Sequence, residues 1–334
     1  MNLDRVEQIA KAVLYEGYML YPYRPSSVKN RQRWNFGVVY PKACSAMQDS
    51  GEPSTMQAEF LVEGSDDTAL EVRLRFLHLR TRTSEGTNQV PGGSSLPDGW
   101  QEAVERDVSL APTPLADIGT KNLHHEFSFP EETRFDAERS EDGSVATVVR
   151  RQDAIQGTVA VSVIQIGPRL FKASVLVRNA TPLKNPAAHR DDALTRSLVS
   201  THLILGVTGG DFVSLLEPPD AFKEPAAQCQ NIGVWPVLVG EAGQRDTMLA
   251  SPIILYDYPQ IAPESAGDLF DGTEIDEILS LRIMTLTDEE KREIRNSDQC
   301  ARQILERTES MPAEQFMNLH GAVRSLRPLK EDAS

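Results

Sequence analysis

Between Met56 and Tyr258 the chain runs through about a dozen short apolar or alternating segments, and none is followed by a helical pattern of crossover length. Parallel neighbours need a crossover of a dozen or more residues, whereas antiparallel neighbours need only a turn. The succession therefore predicts an antiparallel sandwich or barrel-like body and excludes a doubly wound sheet. The alternation is plainest in ALEVRLRFLHLR (69–80), where Leu70, Val72, Leu74 and Phe76 share one face and Glu71, Arg73 and Arg75 the other. With MQAEFLVEG (56–64) and the polar Ser65-Asp66-Asp67-Thr68 between them, the two segments read as a hairpin with one wet side.

A second hairpin is read where Thr208-Gly209-Gly210 separates THLILGV from DFVSLL, and a third where Gly167-Pro168 separates two Val/Ile-rich runs. GVWPVLVG and MLASPIILYDY complete the body, and Pro236 predicts an edge or bulged position because proline cannot donate to a ladder. Trp100 to Val108 is read as a short helix and residues 111–122 as irregular. TSEGTNQVPGGSSLPD (83–98) has nothing to bury and reads as a loop.

The ends differ from the middle. Leu3, Val6, Ile9, Ala10, Val13 and Leu14 recur at helical spacing, with Gly17 where a helix would stop. Near the other end Thr273 precedes Glu274, Asp276 and Glu277, an N-cap followed by acids in the first turn. Thr287 with Glu290, Ser297 and Ser310 open further helical patterns, the last carrying Phe316, Leu319, Val323 and Leu326 on one stripe. The expected class is α+β: an N-terminal helix (1–16), a body of packed sheets or subdomains (17–260), and an acidic loop with a C-terminal helical tail (261–334).

Charge is sorted along the chain. Gly17 to Gln48 holds Arg24, Lys29, Arg31, Arg33 and Lys42 and no acid, whereas Asp257 to Glu277 holds seven carboxylates, among them Asp268, Asp271 and Glu274, and no Lys or Arg. Aromatic residues crowd the first segment, Trp34 among them, and Tyr256 and Tyr258 echo them at the start of the second. Tyr and Trp combine a large apolar area with a polar tip, so such residues either fill a core or anchor a contact. The segments could face each other within the chain, between copies of it, or across a partner. A solvated surface explains them equally, since exposed ion pairs are worth roughly 0–1 kcal/mol.

The formal net charge of −15 opposes a polyphosphate, because nucleic-acid binding draws its affinity from Lys and Arg. MNLDRVEQIAKAV is amphipathic and carries acids, unlike a signal peptide, and no window holds the run of about 18 apolar residues that a membrane span needs. Cys44, Cys229 and Cys300 lie far apart, in neither a disulfide framework nor a metal knuckle, which points to a reducing cytoplasm. Asn179-Ala180-Thr181 fits the glycosylation triplet by chance.

Chemistry has few candidates. Phosphate-cradle, dinucleotide, nucleophile-elbow and zincin motifs are all absent from the sequence. The acidic segment has ligands for a hard cation, but a calcium loop with Gly272 at its sixth position would begin on Gly267 and end on Ile278, where carboxylates are required. No metal or cofactor is expected. His124 and His125 are neighbours on a strand and would point to opposite faces, and a Cys229 nucleophile with His202 as base would need the two side chains to meet.

YEGYMLYPYRPSSVKNRQRWNFGVVYP (15–41) and the stretch from Ser251 to Arg295 together resemble a family of uncharacterised proteins associated with gene clusters for actinobacterial-type NiFe hydrogenases, over most of the chain. The resemblance implies a cytoplasmic accessory or assembly protein beside a large metalloenzyme, with a hydrogenase subunit or maturation factor as partner. It carries over no functional residue. The leading expectation is thus a non-catalytic protein acting through protein contacts at Arg24, Lys29, Arg31, Arg33, Trp34, Tyr256, Tyr258, Asp268, Asp271 and Glu274, with homo-oligomerisation open. The alternative is a metal-dependent hydrolase using carboxylates of residues 257–277.

Overall fold

The computed structural model describes residues 3–15, 36–45, 53–85, 100–139, 145–183 and 190–260, with isolated positions between 286 and 310. In chain order the elements are α1 (Leu3–Tyr15), α2 (Lys42–Ser45), β1 (Thr55–Glu63), β2 (Ala69–Glu85), β3 (Trp100–Pro114), α3 (Leu115–Thr120), β4 (Leu123–Phe129), β5 (Glu132–Arg139) and β6 (Val145–Gln152). They continue with β7 (Ile155–Gly167), β8 (Leu170–Asn179), α4 (Arg190–Leu194), β9 (Val199–Thr208), β10 (Asp211–Val213), α5 (Lys223–Ala227), β11 (Trp235–Leu238) and β12 (Thr247–Ser251).

Two antiparallel sheets face each other without closing into a barrel. The smaller has the order β10-β1-β8-β7-β4, and the larger runs β11-β12-β9-β2-β6-β5 with β3 on the other side of β2. Alternate residues from both fill the space between them: Phe60 and Val62 of β1, Leu74 and Phe76 of β2, Val159 and Val161 of β7, Val175 and Val177 of β8, and Leu203 and Leu205 of β9. Each such side chain contributes about 1.5–3 kcal/mol by leaving water. Phe60 meets Phe212 edge to face at 5.5 Å, and Phe76 meets Phe129 in the same way at 5.8 Å.

The sheets are joined by strands that bend from one into the other. β1 pairs with β10 in the small sheet while their continuations β2 and β9 pair in the large one. In the same manner β4 pairs with β7, and their neighbours in sequence, β5 and β6, pair across the corner at Pro130-Glu131 and Asp153-Ala154. Two of the expected hairpins are therefore corners: β1 and β2 lie in different sheets, as do β9 and β10. The corners interlock at Thr68, whose hydroxyl donates to the Gly209 carbonyl at 2.9 Å and accepts the Ser65 N–H at 2.9 Å. A Cβ on Gly210 would fall 2.7 Å from the Glu63 carbonyl oxygen and from Thr68 Cγ2, so the crossing requires glycine there.

The hairpin at Gly167-Pro168 joins β7 and β8, and Pro236 lies in β11 at the rim of the large sheet. Trp100 to Val108 belongs to β3 and is not a helix, and residues 111–122 hold the end of that strand and α3. β5 was not among the expected strands. Its sequence ETRFDAER leaves both faces wet, so no apolar alternation marks it.

α1 lays Val6, Ile9 and Ala10 on Ile204, Val237, Val239 and Leu249, on the outer side of the large sheet. Beside it Leu14, Tyr40, Cys44 and Leu194 cover Leu77, Leu79 and Val199. This explains why β9 is buried on both faces. The small sheet carries α5, with Ala226 against Leu61, Leu170 and Val213. Asn179 is buried, its amide donating to the carbonyls of Val39 and Arg196 and its oxygen accepting the Thr181 N–H, so it is structural and closed to glycosylation. Among the described residues no helix is long and apolar enough to cross a membrane. Of the loop expected at 83–98, Thr83, Ser84 and Glu85 are instead the end of β2, paired with Val149, Val148 and Thr147 of β6. Residues 86–98, the caps at Thr273 and Ser297 and the Phe316–Leu326 stripe lie outside the described residues.

Candidate functional site

The segment that follows β12 is pinned to the body and yet presents apolar side chains to solvent. Its alternation is strand-like: Ile253 and Leu255 turn inward and join the cluster under α1, while Ile254 and Tyr256 turn outward, 71% and 88% exposed. Ser251 Oγ donates to the Ile253 carbonyl at 2.7 Å at the start of the segment. At its end the Asp257 carboxylate accepts the Leu238 N–H at 2.8 Å and the Ser214 hydroxyl at 2.5 Å. Ser214 Oγ in turn accepts the N–H groups of Leu216 and Glu217, so one carboxylate ties the segment, β11 and the turn after β10 together.

Tyr258 is the last peg. Its N–H donates to the Leu238 carbonyl at 2.7 Å, and its ring packs against the core between the sheets. Its φ of +57° is the left-handed conformation, which costs a non-glycine residue about 1–2 kcal/mol and persists only where the surroundings impose it. The two tyrosines thus separate: Tyr258 is an internal anchor and Tyr256 a projecting one. Trp235, 44% exposed, starts β11 opposite Ser251.

The described end of the basic stretch meets this segment. Gly37 has a φ of +53°, and a Cβ there would lie 2.7 Å from Pro252 Cγ. The carbonyls of Phe36 and Gly37 accept the N–H groups of Ser200 and Thr201, which fixes that approach. Arg24, Lys29, Arg31, Arg33 and Trp34 on one side, and Asp268, Asp271 and Glu274 on the other, lie outside the described residues.

Acid/base and nucleophilic chemistry finds little to work with in the described part. Both oxygens of Asp257 are engaged, which removes it from the carboxylate set a hydrolase would use. No group of three or more His, Cys, Asp or Glu placed to hold a metal occurs among the described residues. Cys229 and His202 do not meet: Cys229 packs beside Leu61 and Ala226 outside the small sheet, while His202 shares the outer face of the large sheet with Ile204. Burial pushes the Cys229 thiol up to about 11 and the His202 imidazole down to about 4, both away from a nucleophile and base pair. His124 and His125, opposite Ala160 and Val159, point to different faces.

A polar cluster that the sequence reading did not single out lies on the inner side of the large sheet. Glu102 is bonded by Arg80 at 2.8 Å and by Arg150 at 2.9 Å, with Arg82 at 3.8 Å, and Arg150 reaches on to Asp136 at 2.6 Å. Continuing the alternation of β2 beyond Phe76 would have put Arg80 and Arg82 on that face. Nearby, neither ring nitrogen of His78 has a hydrogen-bond partner among the described residues, and burial, then the Arg106 charge, holds it down at about 4. The Asp153 and Thr195 backbones favour its charged form only weakly. Arg106 lies 4.6 Å above the Phe129 ring. Glu102, shared by three arginines from neighbouring strands, marks the cluster as a structural brace. No protein family and no curated protein matches the chain.

Proposed function

We propose that the chain is a non-catalytic, cytoplasmic accessory protein that docks a protein partner on the segment bearing Ile254 and Tyr256. The helical tail completes the frame around the sandwich in this reading. The observation that carries it is the conjunction of rigidity and exposure: three backbone or side-chain anchors hold residues 251–258, and the residues held outward are isoleucine and tyrosine. A backbone fixed before binding loses little conformational freedom on docking, so the aromatic anchor it carries starts from a favourable position. Arg24, Lys29, Arg31, Arg33 and Trp34 would widen the surface from one side and Asp268, Asp271 and Glu274 from the other. The contact of Gly37 with Pro252 supports this by bringing the ends of both segments together.

The family resemblance makes a hydrogenase subunit or maturation factor the first partner to test. Affinity purification from native cells, run in parallel on the wild type and on Tyr256→Ala, provides the test. The expected result is a co-purifying protein that the variant loses. A chain that elutes alone, or one that retains the same companions after the substitution, would refute the reading.

A further inference from the structure

β5 forms one rim of the large sheet, paired with β6 on one side and with no described strand on the other. Such a rim offers unpaired N–H and C=O groups to another strand, and proteins normally blunt it with charge. Residues 132–137 are exposed throughout, and Phe135, 66% exposed, points to the outer face between Arg134 and Asp136 on the inner one. The charges here alternate in sign around an apolar ring, a pattern that complements itself.

We infer that a second copy of this chain pairs with the rim, β5 to β5 and antiparallel, about a twofold axis perpendicular to the sheet. An axis of that kind keeps every residue on its own face and sets one residue opposite its own copy. Centring on Phe135 stacks the two rings and sets Arg134 against Asp136 of the second copy, twice by symmetry. Aromatic pairs and opposite charges directly across a ladder both stabilise it. Centring one residue earlier would set Arg134 against itself, and one later Asp136 against itself, both repulsive. In the chosen register the sequence also sets Glu132 against Glu138. Arg134 offsets that repulsion, since it already bonds Glu132 at 2.5 Å. The pairing joins two large sheets into one and is independent of the partner surface at Tyr256.

Sedimentation equilibrium of the full chain tests the dimer, and cysteine crosslinking tests its register. The wild type should sediment as a dimer, and Phe135→Lys should raise its dissociation constant about tenfold or more. Phe135 is exposed, so the substituted chain should keep the wild-type melting temperature. Phe135→Cys should give a disulfide-linked dimer under mild oxidation, because the axis sets position 135 opposite itself, whereas Ala137→Cys, which faces Thr133, should not. A monomeric wild type, a dimer unaffected by Phe135→Lys, or equal crosslinking at 135 and 137 would each overturn the inference. Tyr256→Ala should leave the dimer intact, which separates failure here from failure of partner docking.

Discussion

The corner at Thr68 and the segment at Asp257 are pinned by the same device, a side-chain oxygen that gathers hydrogen bonds from distant parts of the chain, yet they hold opposite things in place. At the corner the holding side chain is itself buried and what it holds is backbone: Thr68 is 1% exposed, presses on Gly64 and Gly210 and bonds the main chain of Ser65 and Gly209. At the segment, Asp257 is fixed by Ser214 and Leu238 and the result is two apolar side chains standing in water. Rigidity at the corner accounts for the fold. Rigidity at the segment does nothing for burial of Ile254 or Tyr256, and this asymmetry is the reason to read it as a contact surface.

Substitutions should separate the two regions, beginning with the corner. Gly210→Val forces a side chain against the Glu63 carbonyl, and Thr68→Val leaves the Ser65 N–H and the Gly209 carbonyl without their partner. Each should cost about 2–4 kcal/mol, read as a fall in the urea midpoint at unchanged slope, while the folded fraction still captures its partner.

Acid should act on the same side of the comparison, because His78 and His202 belong to the sandwich and the segment contains no histidine. Both imidazoles are held near 4, against 6.5 in the unfolded chain, so the unfolded state binds protons first as pH falls. Their neutral forms contribute stability that is complete above pH 6.5 and is lost between 6.5 and 4, up to about 3 kcal/mol each. Thermal melts across that range should show a falling midpoint, and His202→Gln should flatten the dependence.

Asp257→Ala should join the two effects. It removes the acceptor for the Leu238 N–H and the Ser214 hydroxyl, about 1–3 kcal/mol of stability, and frees the segment, so capture should weaken as well. Tyr256→Ala should be the smallest in stability, within about 0.5 kcal/mol, and should abolish capture. A Tyr256→Ala protein that is strongly destabilised would place Tyr256 in the fold and dissolve the contrast.

The strands with an apolar face were legible in the sequence, because Leu70 to Phe76 and Val159 to Val163 alternate strictly. What pairs with what was not. A corner between sheets and a tight hairpin use the same residues, so Asp66-Asp67 and Gly209-Gly210 look like turns in either case, and only the partners β10 and β8 show that β1 has left β2. β3 was hidden because its inward positions include Glu102 and Arg106, which break the apolar alternation where the large sheet reaches past the core. At the site, both Tyr256 and Tyr258 were legible as notable residues. That one anchors and the other projects depends on a backbone φ, on the Tyr258 N–H donating to the Leu238 carbonyl and on the Leu238 N–H donating to Asp257, which no local pattern encodes.

Hydrogen exchange on the purified complex, compared with the free chain, tests the central claim most directly. Amides of residues 253–258 should exchange more slowly when the partner is bound, while those around Thr68 stay as they were. Protection that falls elsewhere and leaves 253–258 unchanged would contradict the assignment of this segment as the docking surface.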